Sequence, residues 1–149
     1  MADGVREREV RKVGAVRVTV RLTNAADTAL VRRNLMQPGE VRSVEANALI
    51  DTGAVSFVLP SFVVERLGLA RPFKQVAEYA DGRREEVDVT EAVLVEVMDR
   101  HTVEEALVLG DEVIIGQTIL EKTDLHVDCR QRRLLPNPAH PDQPVLQIK

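Results

Sequence analysis

Val16, Val18, Val20 and Leu22 alternate with Arg17, Thr19 and Arg21, the period-two pattern of a strand buried on one face. Asn24 then stands before Ala25, Ala26, Ala29, Leu30 and Arg32, which predicts a capped short helix reaching about residue 35. Pro38-Gly39 ends it. Val41 to Ile50 is strand-like again and runs directly into Asp51. Pro60-Ser61 opens a helical turn through Leu67, closed by Gly68. Lys74–Ala80 and Arg83–Val89 flank Asp81-Gly82, a hairpin signal. A two-residue turn there would set Glu78 opposite Glu85, an unfavourable pair, so the loop is longer or the hairpin weakly held. A second hairpin, Ala92–Met98 with Thr102–Leu109, turns at Asp99-Arg100-His101. Val113-Ile114-Ile115-Gly116 reads as a short buried strand and Gln117–Lys122 as a short helix. Leu125–Cys129 and Arg132–Leu135 read as two last strands. The pattern is mainly β with two or three short helices and no internal repeat.

Composition narrows this picture. The 149 residues fit one domain with a sizeable core. The core draws on Val, Leu and Ile, because aromatics are 3 % and Trp is absent, and such side chains suit strands. Residues 1–12 are highly charged and read as a flexible arm, 13–136 as the folded domain, and 137–149 as a Pro-rich extended tail. A net charge of −4 with both signs interspersed argues against nucleic acid as a partner. Arg130, Arg132 and Arg133 read as a solvated turn rather than a phosphate site. Cys129 is the single cysteine and is expected to be a small buried hydrophobe. His101, His126 and His140 lack metal-ligand spacing, so neither metal nor cofactor is expected. No signal peptide and no membrane-spanning run is visible, and the expectation is a cytoplasmic protein that binds no membrane.

The candidate chemistry is at Asp51-Thr52-Gly53-Ala54. An aspartate between Leu49, Ile50 and Phe57, Val58, Leu59 reads as a carboxylate in costly apolar surroundings, needing hydrogen bonds or a shared proton. Asp-Thr-Gly is also an ordinary turn tripeptide, and the motif alone does not separate the two readings. The context does. An apolar strand enters Asp51, a hairpin tip follows at Asp81-Gly82, Ile114-Ile115-Gly116 comes after a further strand pair, and a short helix and strand close the domain.

This order resembles a single retropepsin-type lobe, the aspartic protease fold of retroviral proteases and of bacterial single-lobe relatives. The resemblance runs from Val16 to Pro136 and implies a retropepsin-like closed β-barrel, an acid-protease lobe. It implies that Asp51 is the catalytic aspartate, that Thr52 hydrogen-bonds the partner's loop across a dimer axis, and that Gly53 presents its backbone to substrate. It makes Asp81-Gly82 the flap tip with Tyr79 and Ala80 beside it, and has Leu49, Ala54 and Ile114 bind substrate. Ile114-Ile115-Gly116 would pin the active-site loop. Retropepsins often carry an Asp after Asp-Thr-Gly-Ala and an Arg after the second Gly. Here those places hold Val55 and Gln117, so both members of that charged pair are replaced together.

Stoichiometry adds a physical constraint. Hydrolysis of this kind needs two carboxylates on one water, sharing a proton because they cannot both ionise. The chain has one Asp-Thr-Gly and no room for a second lobe, so a working site needs a homodimer. The substrate would be an extended peptide, with apolar residues favoured by Leu49 and Ile114 and modified by Glu112. The Pro144-Val-Leu-Gln-Ile tail is open to pairing with a sheet edge, lying in a cleft, being self-processed, or being a disordered terminus. The alternative function is a retropepsin-like dimerisation or peptide-binding module with little proteolysis. A third reading is an unrelated β-barrel with Asp-Thr-Gly as a mere turn.

Overall fold

Alternation in the first strand organises the molecule. The computed structural model describes residues 15–148, so the charged arm expected at 1–12 lies outside the described residues. β1 (Val16–Asn24) buries Val16, Val20 and Leu22 and turns Arg17, Thr19 and Arg21 outward. It pairs along its length with antiparallel β2 (Ser43–Ile50), in a register running from Val16 opposite Ile50 to Thr23 opposite Ser43. Between them lies α1 (Ala25–Arg32), followed by one 3-10 turn at Pro38–Glu40. Asn24 caps α1 by accepting from the Asp27 N–H at 3.1 Å, and its own amide donates to the Leu67 carbonyl at 2.8 Å. The helix is three residues shorter than the sequence suggests, ending at Arg32, where the Arg33 N–H closes on the Ala29 carbonyl.

The remaining strands are β3 (Val58–Leu59), β4 (Phe73–Glu78), β5 (Arg84–Val89), β6 (Val93–Val97), β7 (Arg100–Glu104), β8 (Leu107–Val108) and β9 (Ile114–Ile115). They join β1 and β2 in one nine-stranded mixed sheet of order β4-β5-β8-β3-β9-β2-β1-β6-β7, curled into a half-barrel. The helices α2 (Ser61–Arg66) and α3 (Gln117–Thr123) pack on it, and β10 (Leu125–Asp128) pairs with β11 (Arg133–Pro136) as a separate hairpin. Leu22, Leu59, Leu67, Val93, Ile115 and Ile119 sit at the centre of the core. Among the described residues no buried side-chain nitrogen or oxygen lacks a hydrogen-bond partner. The mainly β class with few short helices is therefore the fold.

Two local expectations are corrected, and at the first hairpin the longer of the two loops left open is the one present. The Asp81-Gly82 hairpin is closed by Tyr79 and Arg83 rather than by a two-residue turn, with Glu78 opposite Arg84 and Ala77 opposite Glu85. The like-charge clash therefore never arises, and Glu78 instead pairs with Arg84 at 3.0 Å. In the second hairpin the turn is Met98-Asp99, and Arg100 is already in β7, because both Met98 (φ 49°) and Asp99 (φ 63°) take left-handed backbone. Cys129 is exposed, since β10 ends at Asp128 and the cysteine opens the turn into β11. The three arginines lie around that same turn and are exposed.

After β11 the chain is tied back to the end of α3. Asp124 caps α3 in left-handed backbone, and its carboxylate accepts from Asn137 Nδ2 (2.9 Å) and the Val145 N–H (3.0 Å) and contacts His140 Nδ1 (2.7 Å). Those partners, Asn137 first and the Val145 N–H next, lower its pKa to about 2. The largely buried Arg100 donates to the carbonyls of Thr123, Asp124 and His140 at 2.8–3.1 Å. No helix among the described residues is long and apolar enough to cross a membrane.

Candidate active site

The geometry around Asp51 is built by β9, which lies between the strand that enters the loop and the strand that leaves it. On one side β9 is parallel to β2, with Leu49 beside Ile114 and Ile50 beside Ile115. On the other it is antiparallel to β3, with Val58 beside Ile114. The Leu49 N–H donates to the Val113 carbonyl (2.9 Å) and the Asp51 N–H to the Ile115 carbonyl (3.0 Å), so pairing holds the backbone up to the aspartate itself. The chain then turns sharply. The Ala54 N–H donates to the Asp51 carbonyl at 3.1 Å, and the Gly53 N–H donates to Asp51 Oδ1 at 3.0 Å. One carboxylate oxygen is thereby oriented.

The returning half of the loop is fastened to α3. Helix starts leave N–H groups without partners, and here the loop supplies them. The Gln117 N–H donates to the Ala54 carbonyl at 2.8 Å and the Thr118 N–H to the Val55 carbonyl at 3.3 Å. Gly116 caps the helix without a side chain. A Cβ on Gly116 would lie 2.5 Å from the Ser56 carbonyl oxygen, 2.7 Å from that of Ala54 and 2.8 Å from that of Val55. Only glycine admits this approach.

Asp51, Thr52 and Gly53 are exposed, although Ile50, Phe57, Val58 and Leu59 beside them are buried. The expectation of an aspartate buried among apolar neighbours is therefore corrected. The apolar run anchors the two stems of the loop, and the tripeptide projects past the end of the sheet. Leu49 and Ile114 are half-buried and stand on the face opposite the core, which is also the face of Asp51 by strand alternation. Ala54 is half-buried at the end of the loop. The structure thus brings Leu49, Asp51, Thr52, Gly53, Ala54 and Ile114 together.

Tyr79, Ala80, Asp81 and Gly82 form a separate group at the tip of the β4–β5 hairpin, on the far side of β8 and β3 in the sheet order. The Gly82 N–H donates to the Tyr79 carbonyl (2.9 Å) and the Tyr79 N–H to the Arg83 carbonyl (2.8 Å). With φ at +85°, Gly82 supplies the left-handed residue that a three-residue hairpin loop needs. The Arg83 guanidinium lies 4.4 Å from the Tyr79 ring centre, and the Tyr79 hydroxyl donates to Glu85, a bond that raises the phenol's pKa. Lys74 and Asp88, directly opposite across the hairpin, pair at 2.7 Å.

Sequence reasoning missed Arg17. It faces Leu49 on the neighbouring strand, and its guanidinium pairs with Glu112 at 2.6 Å. The partners are 95 residues apart, and the one signal in the sequence is that Arg17 occupies an outward position of an alternating strand.

No family model and no curated protein matches the chain. Among solved structures, the EIAV protease complexed with the inhibitor HBY-793 aligns with 52 % of this chain and 75 % of its own, at 30 % identity and a TM-score of 0.43. The element order itself is more telling: an Asp-Thr-Gly loop leaving β2, crossed by an Ile-Ile-Gly strand that continues into a helix capped by the loop's own carbonyls. The mainly β fold, with its curled half-barrel sheet and few short helices, is consistent with a retropepsin-like lobe. Asp51 is exposed, held by its backbone and by the Gly53 N–H on one carboxylate oxygen.

Proposed function

We propose that the chain is one half of a homodimeric aspartic endopeptidase that hydrolyses extended peptides. One observation carries this reading: Asp51 is exposed on a loop that is rigidly fastened on both sides, by β9 before it and α3 after it. A fixed backbone with an uncovered carboxylate suits a group that completes its site against a second copy. Val55, 71 % exposed on the same loop, offers that copy an apolar contact.

The chemistry follows from two Asp51 side chains around one water. Side by side they hold one proton between them. The ionised carboxylate takes a proton from the water as it attacks the scissile carbonyl, and the protonated one donates to the carbonyl oxygen. Thr52 is assigned to the contact between the two loops, and Gly53 to the substrate backbone. Leu49, Ala54 and Ile114 are assigned to the substrate's side chains, with Tyr79, Ala80, Asp81 and Gly82 as the flap that closes over it.

The test is digestion of a peptide library between pH ~3 and ~7, comparing wild type with Asp51→Asn and adding a statine-type inhibitor. The expected loss in the variant is on the order of 10²–10⁴-fold, the range for a positioned acid/base group. Equal cleavage by both proteins would refute the assignment of Asp51. A dimer that binds peptides without cleaving them would replace this reading with that of a peptide-binding module.

A further inference from the structure

The wall that leads to Asp51 is apolar at its centre and charged at its rim. Three strands contribute one outward residue each to a continuous row. Arg17 on β1 is opposite Leu49 on β2, and Leu49 is beside Ile114 on β9. Glu112, two residues before Ile114, reaches back over the row and pairs with Arg17 at 2.6 Å. Both side chains are partly exposed, at 34 % for Arg17 and 41 % for Glu112.

We infer that Arg17 and Glu112 are specificity-determining residues: as an ion pair beside the outward Leu49–Ile114 surface, they cancel each other and disfavour charged substrate side chains on that surface. This rests on the peptide-cleavage reading of the same cleft. An isolated guanidinium at this rim would favour Asp or Glu in the substrate, and an isolated carboxylate would favour Lys or Arg. Paired, they present no net charge. A charged substrate side chain would have to break the pair to gain a partner, and would leave the third charge unpaired in a cleft that the peptide has partly dried. Apolar side chains gain the Leu49 and Ile114 surface without that penalty.

The test uses eight-residue peptides with a reduced amide (–CH2–NH–) in place of the scissile bond and Leu, Gln, Glu or Lys immediately before it. Binding to the full chain is measured by calorimetry, so the result does not depend on turnover. Wild type is expected to bind the Leu peptide tightest and to disfavour Glu and Lys alike. Arg17→Met should raise the relative affinity for Lys about fivefold, and Glu112→Gln should raise that for Glu by a similar factor. The charge-swapped double variant, Arg17→Glu with Glu112→Arg, should restore the wild-type ranking. A pair that merely ties β1 to the 112 segment would leave the charge ranking unmoved in both single variants, and that result overturns the inference. Absence of any peptide binding by wild type overturns it too. Binding with the expected ranking but no cleavage of the ordinary amide peptides would sink the protease reading alone.

Discussion

Gly116 bears the tightest steric constraint near Asp51. Three loop carbonyls lie within 2.5–2.8 Å of where its Cβ would be, and all three are backbone atoms that cannot swing aside. Gly53, inside the tripeptide, would bring a Cβ to 3.3 Å from the Asp51 carboxylate and meet nothing closer. Gly116→Ala is therefore expected to cost about 1–3 kcal/mol, as overpacking does, and to lower peptide cleavage by displacing the loop. Gly53→Ala should cost less in stability. Urea denaturation of the two variants checks this, and a Gly53→Ala loss equal to or larger than that of Gly116→Ala would contradict it. At this scale the sequence was informative about identity and less so about environment. Asp51 and the Ile114-Ile115-Gly116 element stood out, yet Asp51 is exposed, because an apolar run can anchor a loop's stems without enclosing its tip. Cys129 was misplaced for a related reason: a one-residue shift in where β10 ends moves a side chain from strand to turn.

The two hairpins differ in how well their turns suit their residues. At the β4–β5 tip, Gly82 takes the left-handed position at no steric cost. At the β6–β7 turn, Met98 and Asp99 both take left-handed backbone, and for methionine that costs roughly 1–2 kcal/mol. Asparagine tolerates this conformation, so Met98→Asn is expected to stabilise the protein by about 1 kcal/mol. Thermal melting should show a higher Tm; an unchanged or lower Tm would contradict the expectation. The strands themselves were legible, since period-two alternation marks β1 and the apolar runs mark β2 and β9. The turn after β6 was not, because Met98 is a poor candidate for left-handed backbone and Asp99-Arg100-His101 looks more polar. Arg100 looks like a solvent-facing turn residue, whereas its guanidinium is taken up by three carbonyls from α3's end and the tail. Nothing local encodes such long-range acceptors.

Across the whole molecule, the fold depresses three carboxylates, Asp27, Asp124 and Asp88, the last through Lys74 and Arg71. Asp27 on α1 is buried and accepts from the Arg42 backbone N–H, Nε and Nη2 at 2.9–3.0 Å, which holds its pKa below the usual carboxylate value. Asp124, the anchor of the C-terminal segment, has a pKa of about 2. All three are depressed in the folded state, so the unfolded chain takes up protons first. Their contribution is complete above the unfolded value of about 4 and is lost as pH falls below it, for Asp124 over the interval down to about 2. Protection of the Val145 N–H, taken relative to its unstructured exchange rate at each pH, should therefore be present at pH ~5 and fall towards pH ~2, and Asp124→Asn should lack it already at pH ~5. Equal protection in wild type and variant at pH ~5 would contradict the anchor. The central claim, that one site is made by two chains, is tested most directly by mixing wild type with Asp51→Asn at constant total protein, allowing subunits to exchange, and measuring peptide cleavage. The expected activity follows the square of the wild-type fraction, about one quarter at an equal mixture. Activity proportional to the fraction itself, about one half at the same point, would mean that each chain works alone.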